Sequence, residues 1–153
     1  MPWRPKQAVT RLGSGRNRHQ AANGTGPKVG SRVMGMVPFH GGAWAEQVAV
    51  PTNMLAEIPT NVTFAQAATL PVAGLTASYA LDKGGLLLHK RVLITGSTGG
   101  VGLFAHQLAR LSGAYIVGTA RNVRNEALVR EAGADEVIVG DDISLARPHG
   151  HTT

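Results

Sequence analysis

The sequence predicts an α/β chain: part of a doubly wound parallel sheet, preceded by remnants of a smaller β domain. Three observations predict it. Val92-Leu93-Ile94-Thr95 is a β-branched and apolar run that enters a glycine-rich turn, Gly96 to Gly102, and Leu103 to Arg110 leaves that turn with helical apolar periodicity. Tyr115 to Thr119 then reads as a second strand, a helix capped by Asn122 runs to about Glu131, and Glu136 to Val139 is a third strand. Strand, helix, strand, helix, strand is one mononucleotide-binding half of a doubly wound sheet. Upstream, residues 33–58 carry short strands separated by turns instead.

Residues 1–27 are read as a basic leader. Residues 1–32 hold seven Lys or Arg (Arg4, Lys6, Arg11, Arg16, Arg18, Lys28, Arg32) and no acid, whereas 33–153 hold eight basic and nine acidic residues. The net charge of +6 and the pI of 10.5 therefore describe this end of the chain. Such a tail can bind nucleic acid by neutralising phosphates. Its Gly, Asn, Gln and Arg content, its lack of apolar periodicity and its single aromatic, Trp3, favour a solvated, disordered leader over that role.

The texture changes at Pro27-Lys28-Val29-Gly30. Val33 to Val37 reads as a strand, Pro38 to Gly42 as a turn, Ala43 to Val50 as an alternating strand, and Leu55 to Ile58 as a third strand stopped by Pro59. These strands are too few to close a barrel. Thr63 caps a helix with Gln66 at the capping-box position. Pro71 is expected to break that helix and to sit in the first turn of another, Val72 to about Leu81.

Matched against G-x-G-x-x-G, the glycine turn has Gly99 and Gly102 in place, while Ser97 stands where the first glycine belongs. Gly96, one residue earlier, relieves the same tight turn. Missing side chains let the backbone approach a pyrophosphate, and the helix that opens here aims free N–H groups and its positive dipole end at that anion. Rossmann sites for NAD place an acid about 20 residues beyond the loop, on the ribose 2′-OH. Nineteen residues past Gly102 stands Arg121; no acid lies within 119–125, and Arg124 adds a second cation. Arg121 therefore suits a 2′-phosphate, which favours NADPH over NADH.

A hydrophobic content of 43% and a mean hydropathy near zero describe a soluble globular chain. No apolar run reaches the ~18–20 residues of a membrane span, and Met1 to Ser14 has no apolar signal core. Absence of cysteine excludes disulfides and thiolate metal sites, and a cytoplasmic setting follows as the default. His19, His40, His89 and His106 are scattered, and His149 and His151 are close only to each other, so no metal site, zinc included, is expected. Tyr79 and Lys83 form a literal Y-x-x-x-K, but the pair precedes the glycine turn and at i, i+4 on a helix can simply pack and solvate.

The residues also carry a family resemblance. Val29-Gly30-Ser31-Arg32-Val33 resembles the VGDRV strand entry of the medium-chain dehydrogenase/reductase superfamily, and Gly41 to Glu46 resembles its GGxAE turn. Ala67 to Ala77 is similar to its AAxLPxAGLTA helix pair. Gly96 to Gly102 resembles the GxxGGVG loop of the zinc-independent branch of quinone oxidoreductases and enoyl reductases. Gly113-Ala114 and Ala132-Gly133-Ala134-Asp135 complete a series that covers about residues 28–140. The resemblance implies a remnant of a GroES-like β domain at 28–70, the first half of a Rossmann domain at 71–140, and an unpatterned tail at 141–153.

It further implies hydride transfer from a nicotinamide dinucleotide to a small-molecule quinone or α,β-unsaturated carbonyl. In that family the glycine loop holds the pyrophosphate, so Gly99, Gly100 and Val101 would offer backbone N–H groups and Gly102 would close the loop. Thr76, in the GLTA motif, would lie near the nicotinamide carboxamide. No catalytic residue is identified, because the family's substrate-pocket residues have no counterpart here. The chain reads as a central fragment, so a dinucleotide-binding remnant without turnover is the alternative. A truncated sheet would also expose an edge suited to self-association.

Overall fold

A computed structural model describes residues 14–36 and 46–140. The chain divides into two units, Met1–Val72 and Ala73–Thr153. The turn expected at Pro38 to Gly42, residues 43–45 of the next strand and the tail at 141–153 lie outside the described residues.

In the first unit three short strands form an antiparallel sheet in the order β1 (Ser14–Arg16), β2 (Arg32–Gly35), β3 (Leu55–Glu57). Val33 is fully buried in β2 and packs with Val50, Val48 and Leu55. The β1 strand corrects the expectation of a disordered leader through residue 27. Gly15 pairs with Val33, and the Ser14 hydroxyl donates to the Phe64 carbonyl at 2.7 Å. Buried Asn17 then ties the following loop: its amide donates to the carbonyls of Pro27 at 2.7 Å and Lys28 at 3.2 Å, and its backbone N–H donates to Ser31 at 2.8 Å. A three-residue strand closed by one asparagine leaves no apolar period to read. The strand expected over Ala43 to Val50 is corrected as well: residues 46–50 are irregular apart from a single bridge at Ala49.

The capping box at Thr63 is formed, with Thr63 Oγ1 accepting from the Gln66 N–H and the Thr63 N–H donating to Gln66 Oε1. It opens α1 (Phe64–Thr69). Pro71 does not break the helical path. Leu70–Gly74 is a π turn that leads directly into α2 (Leu75–Asp82). A proline has no N–H to donate and its ring strikes the carbonyl four residues back; the wider π turn absorbs both defects without ending the helix.

The second unit is a parallel sheet in the order β4 (Arg91–Ile94), β5 (Tyr115–Ala120), β6 (Glu136–Val139). The α3 helix (Gly100–Leu111) links β4 to β5 and α4 (Glu126–Glu131) links β5 to β6. Ala105 and Ala109 of α3, Ile116 and Ala120 of β5 and Val129 of α4 share one core with Ile94 and Ala77. Small residues set the spacing: a Cβ added to Gly118 of β5 would stand 2.5 Å from Val129 Cγ1 and 2.8 Å from His106 Cε1. His106 is fully buried, neither ring nitrogen has a hydrogen-bond partner, and burial pushes its pKa below the usual histidine value. Asn122 does not cap a helix with its side chain. A single 3₁₀ turn, Val123–Asn125, comes before α4, and the Asn122 amide stays free of the helix end.

Candidate functional site

Parallel strands send all their carboxyl ends to the same edge of the sheet, which is where open α/β sheets take ligands. There the second unit forms a cleft of about 670 Å³. Thr95, Gly96, Thr98 and Gly99 line it from the turn after β4; Thr119, Ala120, Arg121, Asn122 and Asn125 line it from the end of β5 and beyond; Ile138 and Gly140 come from β6 and its exit.

Glycine geometry builds the turn. Gly96 has φ +64°, a conformation that other residues adopt only at a cost. The Gly99 N–H donates back to the Gly96 carbonyl at 3.0 Å. That bond closes the turn, and Gly99 contributes to the cleft wall. Gly99 is also the N-cap of α3, with no side chain to satisfy the helix end. The N–H groups of Gly100, Val101 and Gly102 have no helical carbonyl one turn before them. Leu103 is the first of α3 to bond backward, to the Gly99 carbonyl at 2.9 Å. Three unsatisfied donors at the positive end of a helix are suited to a phosphate. A Cβ on Gly102 would stand 2.7 Å from Ser97 Cα, so the helix start lies hard against the turn.

Ser97 is fully buried beneath this turn. Its hydroxyl donates to the Ile94 carbonyl at 2.7 Å and accepts the Thr119 N–H at 2.9 Å. On the cleft wall Arg121 is exposed and is the single ionisable side chain among the lining residues. Gly99 and Arg121 are thus brought into one cleft. Gly100, Val101 and Gly102 form the first turn of α3 beside it without lining it, and Thr76 lies exposed on α2, outside the lining. Sequence reasoning passed over Thr95, Thr98, Thr119, Asn122 and Asn125. Their signal was a cluster of hydroxyl and amide residues where each apolar strand ends. Among the described residues no group of three or more His, Asp or Glu is placed to hold a metal ion, and no helix is long and apolar enough to cross a membrane.

No protein-family model matches the chain. Individual proteins do. The chloroplastic quinone oxidoreductase QR1 of Triphysaria versicolor is 41% identical over 120 residues, which cover 72% of this chain and 36% of that protein. The quinone oxidoreductase structure from Coxiella burnetii superposes with a TM-score of 0.79 at 32% identity, over 88% of this chain and 44% of that one. A mycobacterial protein solved in complex with NADPH superposes with a TM-score of 0.74 at 28% identity, over 87% of this chain and 42% of that one. The chain thus spans little more than a third of the length of the curated relative. A half-sheet of parallel strands with a glycine turn at its carboxyl edge defines an α/β fold of the doubly wound class. Within that class, the proteins and structures to which the chain is similar over part of their length are quinone oxidoreductases of the medium-chain dehydrogenase/reductase superfamily.

Proposed function

We propose that the cleft binds NADPH and that the chain is the cofactor-binding part of an oxidoreductase acting on a quinone or enone. The observation that carries this reading is Arg121 on the wall of a cleft whose lining holds no carboxylate, beside the uncapped start of α3. The residues fit the cofactor. The N–H groups of Gly100, Val101 and Gly102 would hold the pyrophosphate, and Gly102 admits the close approach of backbone that this needs. Arg121 would hold the adenosine 2′-phosphate as a charge-assisted donor, with the Asn122 and Asn125 amides beside it as neutral partners. Buried Ile138 and Ala120 give the cleft an apolar floor that strengthens each polar contact above it. Thr76 is proposed for the carboxamide end of the nicotinamide. When bound, the nicotinamide supplies a hydride to the acceptor.

The acceptor class rests on the motif resemblance and on the similarity to the Triphysaria and Coxiella quinone oxidoreductases. The test is the loss of nicotinamide absorbance when the purified chain is mixed with NADPH and a quinone or an enone. Acceptor-dependent oxidation that Arg121→Ala slows at low NADPH supports the whole reading. Saturable NADPH binding with no oxidation of any acceptor assigns a dinucleotide-binding module without turnover.

A further inference from the structure

We infer that Ser97 is a positioning residue: its hydroxyl fixes the spacing between the phosphate-binding turn and Arg121, and so sets the preference for NADPH over NADH. The inference rests on the proposed reading of the cleft as an NADPH site. The β4 and β5 ladder ends at the pair Ile94 and Gly118, because β4 leaves the sheet into the turn at Thr95 and Gly96. The next donor along β5 on that side, the Thr119 N–H, would lose its partner there. Ser97 supplies it, accepting the Thr119 N–H at 2.9 Å while donating to Ile94 at 2.7 Å.

One buried hydroxyl therefore bonds the end of β4 to the end of β5, and the Ser97 backbone supports the start of α3 against Gly102. Arg121 stands two residues beyond Thr119 on the same strand exit. The turn that would take the pyrophosphate and the cation that would take the 2′-phosphate are thus joined through Ser97. A ligand that must reach both at once depends on that joint; a ligand that uses the turn alone depends on it less. The first glycine of the G-x-G-x-x-G fingerprint would have no hydroxyl to offer at this position, whereas Ser97 supplies both a donor and an acceptor.

The test measures dissociation constants for NADPH and NADH on the full chain, unaltered and as Ser97→Ala, Arg121→Ala and the double variant. The unaltered chain is expected to prefer NADPH, and Ser97→Ala to lower that preference roughly tenfold, on the order of one charge-assisted contact. In the Arg121→Ala background Ser97→Ala is expected to leave the ratio unchanged, because the two act through one contact. A serine with a merely structural role would weaken both cofactors equally, and that result overturns the inference. If Arg121→Ala itself leaves the preference intact, the reading of Arg121 fails instead. Ser97→Thr, which keeps the hydroxyl, is expected to retain the preference. Amide exchange gives a readout independent of any variant: Thr119 is expected to exchange slowly in the unaltered chain, and rapid exchange there contradicts the inference.

Discussion

Gly102→Ala is expected to damage the chain more than any other single methyl added to the glycine turn. The added Cβ would stand 2.7 Å from Ser97 Cα and 3.0 Å from the Gly96 carbonyl carbon, and would also meet the Gly96 carbonyl oxygen. All three are backbone atoms, so no side-chain rotation relieves them. Ordinary contact begins at 3.4 Å, so Ser97 Cα must retreat by about 0.7 Å and the Gly96 carbonyl oxygen by more, against the two hydrogen bonds of Ser97. Overpacking of this kind costs about 1–3 kcal/mol, and ~2 kcal/mol corresponds to a drop of roughly 4–8 °C in Tm for a chain of this size. The same displacement carries the three free N–H groups away from the phosphate, and NADPH affinity is expected to fall at least tenfold. Gly100→Ala is the control. Its Cβ meets Ala73 Cβ at 3.6 Å, an ordinary contact, so stability is expected to stay within ~0.5 kcal/mol of the unaltered chain. Urea denaturation followed by circular dichroism, with an NADPH titration of each variant, makes the comparison. A Gly102→Ala chain that unfolds at the original midpoint and binds NADPH as before refutes the close-approach argument.

Three further outcomes follow from the packing. Burial holds the pKa of His106 below its ordinary 6.5, so the unfolded chain takes up the proton first; stability should be full above about pH 6.5 and fall as the pH drops below it. His106→Leu removes the proton uptake and two unpaired buried nitrogens, and should flatten that acid limb and add about 1–2 kcal/mol in urea melts at pH 7; an unchanged limb contradicts the assignment. Thr63→Ala deletes the capping box of α1 and is expected to cost about 1 kcal/mol, with no measurable loss contradicting the role of the cap. Gly118→Ala drives a methyl into Val129 and His106 and is expected to cost about 1–3 kcal/mol; pairing it with His106→Ala should restore part of that loss, and strict additivity would show that the histidine is not the obstacle.

The legible parts of this chain were those where a local rule coincides with a tertiary need. The Thr63 and Gln66 spacing forms the capping box, Glu136–Val139 is the third strand of the parallel sheet, and Gly96 adopts the positive φ that its place in the turn requires. Arg121, found by counting from the loop, lines the cleft because the crossover returns the end of β5 beside the turn. What escaped sequence reading depends on partners remote in the chain. Residues 14–27 contain no apolar period, yet Asn17 closes them through carbonyls ten and eleven residues away. Pro71 reads as a breaker, but a π turn keeps the helical path continuous. Ser97 reads as a flaw in the glycine fingerprint, and its purpose shows only when Thr119, twenty-two residues on, is seen to donate to it.

The most direct test of the central claim is an equilibrium titration of the purified chain with NADPH and NADH, followed by nicotinamide fluorescence and repeated on Gly100→Asp. Position 100 has room for a side chain, and an acidic residue in the first turn of a helix does not oppose folding, so this variant places a negative charge at the phosphate site of an intact unit. Saturable binding that prefers NADPH is expected, lost in Gly100→Asp while the circular dichroism spectrum stays unchanged. A folded chain that binds neither cofactor, or a Gly100→Asp chain that binds as tightly as the unaltered one, contradicts the claim.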